Sequence, residues 1–151
     1  MLNPDLDPNP ATSAVERLKG VWKLVRFDVE AQSTGVRRPA LGDTSKGRLI
    51  LHSSGTLMVV ITARGRRAPN TPEERTGAFD STVAYSGHFD IHGDRFTIAV
   101  DISWHEAWCN APQVFTWRLD GKRLELTSAW RPDPGDATSL VRQLLLWERE
   151  T

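Results

Sequence analysis

Along most of this chain apolar and polar residues alternate with a period of two, the spacing that sends a strand's side chains to opposite faces. In Gly20-Val21-Trp22-Lys23-Leu24-Val25-Arg26-Phe27, the residues Trp22, Leu24 and Arg26 share one face, and Val21, Lys23, Val25 and Phe27 the other. The run predicts a first strand over about 21–29, with Gly20 allowing a tight approach and Trp22 large enough to plug one end of a barrel. Gly47 to His52 and Thr56 to Thr62 predict a hairpin turned at Ser53-Ser54-Gly55. Ala84 to Ile91 sets Tyr85, Phe89 and Ile91 against Ser86, His88 and Asp90. Arg95 to Trp104 sets Phe96, Ile98, Val100, Ile102 and Trp104 against Arg95, Thr97, Ala99, Asp101 and Ser103. The bulk of the first set assigns it to the interior. Val114 to Leu119 turns at Asp120-Gly121 into Arg123 to Ala129, and a Leu-rich strand runs from Ser139 to Arg149.

Two short helices interrupt this pattern. Ser13 to Lys19 has Ser13 as N-cap and Glu16 as its capping-box partner. Thr71-Pro72-Glu73-Glu74 starts a second helix reaching Phe79 or Thr82, and it is a candidate lid. With so little helix between short turns, the expected fold is mainly β: a closed antiparallel up-and-down barrel of about 8–10 strands, since closure removes exposed edges. A barrel of about eight strands is either filled by side chains or holds one small ligand.

Length and composition narrow the function. The 151 residues fit one domain, expected over 13–151 behind a proline-containing arm over 1–12. Nineteen Lys+Arg balance 19 Asp+Glu, which argues against a nucleic-acid partner. The single Cys109 favours a reducing, cytoplasmic setting. The N-terminus shows no secretory signal pattern, and no apolar run approaches the ~20 residues of a membrane span. A homodimer is compatible with this composition. Six Trp spread over the chain suit a core or a pocket for an apolar guest.

Candidate wall residues for such a pocket are Trp22, Tyr85, Phe89, Trp104, Phe115 and Trp117. Arg26 and Arg142, the latter beside Leu140 and Leu144, fall in inward-looking rows. A buried Arg there needs a carboxylate, from the protein or from a ligand, unless it snorkels to the barrel end. His105 and Glu106, just past Trp104, would sit at the rim, where a His beside a carboxylate can move protons near neutral pH. His88-Phe89-Asp90-Ile91-His92 puts three metal-type ligands on one face, but that face should be the wet exterior. His105-Glu106-Ala107-Trp108-Cys109 carries Cys where a zinc-hydrolase helix carries its second His. No metal or cofactor is therefore expected. Arg64, Arg66 and Arg67 read as a solvated loop or a gate for an anion.

Four pieces, in order, resemble the lipocalin-like domain family: Leu18-Lys19-Gly20-Val21-Trp22-Lys23-Leu24-Val25, then Gly47-Arg48-Leu49-Ile50-Leu51 with Gly55-Thr56-Leu57-Met58, then Ala84-Tyr85-Ser86-Gly87-His88-Phe89, then Leu119-Asp120-Gly121-Lys122-Arg123-Leu124-Glu125-Leu126. The resemblance spans roughly Val15 to Arg149 and implies a calycin-type barrel with an internal cavity. The function expected of such a barrel, with its aromatic wall candidates, is binding of a small, largely apolar or aromatic molecule. Barrels of similar shape that act as isomerases or cyclases on natural-product intermediates supply the alternative: a cofactor-independent enzyme using His105 and Glu106.

Overall fold

A computed structural model describes residues 10–150 of the chain. In order they form α1 (Pro10–Leu18), β1 (Gly20–Ala31), β2 (Arg37–Pro39), β3 (Ser45–Leu51), β4 (Thr56–Ala63), α2 (Pro72–Asp80), β5 (Thr82–His92), β6 (Arg95–Ser103), a 3-10 turn (Glu106–Asn110), β7 (Gln113–Asp120), β8 (Arg123–Ser128), β9 (Arg131–Asp133) and β10 (Asp136–Arg149). The strands β1, β3 to β8 and β10 pair antiparallel with their neighbours, and β1 pairs back onto β10 from Trp22↔Arg149 to Ala31↔Val141. The result is the closed eight-stranded meander that the alternation implies. β2 and β9 are three-residue additions to β1 and β10. The first nine positions of the expected arm lie outside the described residues. Pro10 to Thr12 already belong to α1, so Ser13 is a helical residue and not its N-cap.

Two one-residue bulges decide which side chains reach the interior. In β1, Leu24 pairs with Trp147 and Arg26 with Leu146, leaving Val25 as an extra residue. An extra residue reverses the alternation beyond it. Phe27 is therefore buried at 5% exposure, and Arg26 points outward. In β6, Ser86 faces Ile102 while Gly87 faces Val100, so Asp101 is the extra residue. Ile102 is 70% exposed, and Ser103 takes the place opposite Tyr85. The inward placement expected for Ile102 and Trp104 fails for this reason.

The two barrel ends differ. At one end the strands are joined by tight turns, and α1 packs beneath. There Trp22 is fully buried and its indole Nε1 donates to the Leu18 carbonyl at 2.9 Å. Arg149 donates to the Lys19 and Arg17 carbonyls, covering the open C-terminal end of α1, and its guanidinium lies 4.2 Å from the centre of the Trp22 ring. The other end carries α2, the 3-10 turn and β9. α2 starts as its sequence predicts, with Thr71 Oγ1 accepting from the Glu74 amide and Pro72 in the first turn. No residue of α2 is buried, so it lies over the barrel mouth as a lid rather than as part of the core.

Candidate ligand-binding site

The inward rows converge on a small cavity of about 30 Å³ near the lid end. Space on this scale accommodates only about two or three water molecules, at roughly 10–15 Å³ of such volume each. Phe27, Val59, Ile61, Phe115, Leu126 and Leu145 supply most of its apolar wall. Tyr85, Gln143, Trp147 and Trp108 also line it.

Trp108 closes the cavity. The 3-10 turn brings its ring onto Tyr85, with centroids 5.6 Å apart and planes 28° apart. Trp104 lies 5.2 Å from Trp108, and Phe79 of α2 lies 6.1 Å from Trp104. Trp104 also donates its Nε1 to the Phe79 carbonyl. A continuous file of rings thus runs from the lid helix to the cavity wall, each contact of a kind worth roughly 0.5–1.5 kcal/mol.

The polar groups at the cavity are mostly donors. Trp147 is 1% exposed and its Nε1 has no partner. Arg131 of β9 stands opposite the inward-facing Val141, and its Nη2 donates to Gln143 Oε1 at 3.4 Å. That contact uses one of the two lone pairs of the Gln143 oxygen, and the amide NH2 remains free to donate. Burial lowers the pKa of the Arg131 guanidinium, with Tyr85 acting against the shift. Burial likewise drives the Tyr85 phenol well above its ordinary value, partly offset by Arg131, so the hydroxyl keeps its proton.

Of the wall residues expected from the sequence, Tyr85 and Phe115 line the cavity. Phe89 is buried deeper, stacked on Phe96 at 5.2 Å, and Trp22 belongs to the plug at the α1 end. Trp117 sits at that same end, where its Nε1 donates to the Gly93 carbonyl and Arg17 lies over its ring. Trp104 is at the mouth, outside the cavity wall. Arg26 is on the outer wall, paired with Asp28 at 3.1 Å. Arg142 is also outside: it pairs with Glu30 at 2.9 Å and lies against the Trp130 ring, while Arg37 approaches the other Glu30 oxygen at 2.8 Å. Glu30 and Arg142 face each other across β1 and β10, in the row opposite that of Val29, Ala31 and Val141.

His105 and Glu106 are exposed at the mouth, and neither lines the cavity. His105 Nδ1 accepts from the Ala107 amide, capping the 3-10 turn, and its ring rests 5.5 Å from that of Phe79. Cys109 has its pKa raised, by burial first and then by Glu106 and Asp101, which keeps the thiol protonated and a poor nucleophile. His88, Asp90 and His92 stand exposed on the outer wall, with His88 3.8 Å from Asp101. Among the described residues no three His, Cys, Asp or Glu side chains gather as a metal ion would require.

Arg131 and Gln143 are the cavity-end residues that sequence reasoning missed. Gln143 carried a signal, because it falls in step with Val141, Leu145 and Trp147. Arg131, in a three-residue strand interrupted by Pro132, carried none.

No helix among the described residues is long and apolar enough to cross a membrane. No curated relative matches the chain. A family model described as a lipocalin-like domain matches residues 19–150, from the residue before β1 to the residue after β10. With the closed barrel, the lid and the internal cavity all lying within that span, this chain belongs to the lipocalin-like domain family.

Proposed function

We propose that the protein binds a small, largely apolar or aromatic molecule inside the barrel, with access through the end covered by Trp108 and α2. The observation that carries this reading is the cavity itself, walled by apolar side chains, among them Trp147, whose buried indole N–H has no partner. A filled core has no reason to leave a donor without a partner, at a cost of about 1–3 kcal/mol. A guest with an acceptor removes that cost. The cavity is smaller than any such guest, so binding requires the Trp108 ring to leave the Tyr85 face. The free Cys109 supports a reducing compartment such as the cytoplasm. The isomerase or cyclase alternative requires His105 or Glu106 to reach the bound molecule, and no placement of these residues favours it.

Titration with a panel of naphthalene and alkyl probes, followed by calorimetry and by tryptophan fluorescence, tests the reading. Saturable one-to-one binding that blue-shifts the emission is expected. A panel of which no member binds or alters the emission would remove the container role.

A further inference from the structure

The polar side chains around the cavity have one character. Tyr85, Gln143 and Trp147 line it, and Arg131 stands behind them, joined to Gln143. Trp147 Nε1 is an unpartnered donor. Gln143 offers its NH2, and its oxygen is turned toward Arg131. Tyr85 retains its hydroxyl proton. Arg131 keeps most of its five donors, with no carboxylate within 4.0 Å among the described residues. Arg142 and Arg37 instead share Glu30, Arg38 pairs with Asp133, and Arg64, Arg66 and Arg67, which also lack a carboxylate within 4.0 Å among the described residues, are exposed to solvent. Arg131 is thus a half-buried cation on the interior side of β9 to which none of the described residues supplies a counter-charge. A desolvated charge without a partner is costly, and it is relieved by an anion of matching shape. A planar guanidinium fork matches a carboxylate in two parallel hydrogen bonds.

We propose that the guest ends in a carboxylate, held at the lid end of the cavity by Arg131 together with the Tyr85 hydroxyl and the Gln143 amide, while its apolar body occupies the space between Phe27, Phe115 and Trp147. This inference rests on the container reading and narrows it to one ligand class. The assignment replaces Arg26 and Arg142, both of which face outward and carry acidic partners of their own.

The experiment compares acid and amide of the same shape: 2-naphthoate against 2-naphthamide, and decanoate against decanamide, by calorimetry at pH 7. Three proteins are used: the unmodified chain, Arg131→Gln and Arg131→Lys. The unmodified chain is expected to prefer each acid over its amide by about tenfold to hundredfold, the range of a charge-assisted hydrogen bond in a sheltered site. Arg131→Gln should abolish that preference by weakening the acids far more than the amides, while Arg131→Lys should retain part of it. Equal binding of acid and amide by the unmodified chain overturns the carboxylate assignment and leaves the container reading standing. An acid preference that survives in Arg131→Gln overturns the role of Arg131. Failure of all four probes to bind overturns both. The comparison on the unmodified chain needs no variant, so it decides the ligand class even if a substituted protein does not fold.

Discussion

The indole of Trp108 lies nearly parallel to the phenol ring of Tyr85, 5.6 Å away, and so one side chain from a five-residue 3-10 turn covers the barrel's internal space. A turn of this length has few hydrogen bonds of its own, and such segments open at low free-energy cost. The stack is therefore the natural point of access. Trp108→Ala is expected to speed association of a neutral probe such as 2-naphthamide at least tenfold in stopped-flow fluorescence. It should lower stability by only about 2 kcal/mol, since the side chain is half-buried. An unchanged association rate would mean that access lies elsewhere in the wall.

Gly87 and Gly77 should respond oppositely to the same substitution. Gly87 sits beside the β6 bulge, where an added Cβ would come within 2.1 Å of the Ala99 carbonyl oxygen. That oxygen belongs to the strand ladder and cannot move without breaking the register. Gly87→Ala is expected to cost at least ~3 kcal/mol, read as a fall in the urea midpoint. At Gly77, inside α2, an added Cβ would meet nothing within 4 Å. Gly77→Ala should instead stabilise by about 0.5–1 kcal/mol through the lower backbone entropy of the unfolded chain.

Glu30 gives the barrel's outer wall a pH dependence. The hydrogen bond from Arg37 is the main influence holding its carboxyl below the ordinary 4.5; burial opposes it, and the Arg142 charge and hydrogen bond add to the lowering. A carboxyl with a depressed folded-state pKa contributes stability that is fully present above its unfolded value and is lost as pH falls through the folded one. The Glu30 contribution should therefore be constant from pH 7 down to about 5, decline below the ordinary 4.5, and be gone once pH is below the lowered folded-state value. Urea melts of the unmodified chain and of Glu30→Gln should differ at pH 7 and converge at pH 3. A difference that persists undiminished at pH 3 would show that Glu30 acts through packing alone.

The alternation of side chains was sufficient to place eight strands and close them, because each of the eight barrel strands buries one row. It failed where a single residue was inserted. In β1 the sequence carried a trace of the insertion: buried Trp22 and Leu24 are two apart, but Leu24 and Phe27 are three apart, with a charged residue in the row that strict alternation would have buried. In β6 there was no trace, since Asp101-Ile102-Ser103-Trp104 continues to alternate through the bulge. The site suffered most from this. Tyr85 and Phe115, on strands that keep their phase, reach the cavity as expected, whereas Arg26 and Trp104, just beyond the bulges, do not. Arg131 was out of reach for another reason: only its pairing with Val141 on β10 turns it inward, and that pairing is a tertiary contact.

The end of the barrel away from the lid should be the more sensitive to loss of a single group. Trp22 joins three parts there: it fills the floor, donates to the Leu18 carbonyl at 2.9 Å, and lies under the Arg149 guanidinium that covers the last carbonyls of α1. Trp22→Phe keeps most of the volume but leaves that buried carbonyl without its donor, which costs about 1–3 kcal/mol. Trp22→Ala also opens a cavity and should cost at least about 3–5 kcal/mol. Arg149→Met removes the helix cap and the contact above the indole ring, for about 1 kcal/mol. Because Trp22 and Arg149 touch, the double variant Trp22→Phe/Arg149→Met should lose less than the sum of the two single losses. Amide hydrogen exchange should locate the damage: in Arg149→Met the amides of α1 lose protection while those of β4 and β5 keep theirs. Uniform loss of protection across the barrel would mean that α1 is part of the same cooperative unit as the floor rather than a segment clamped onto it.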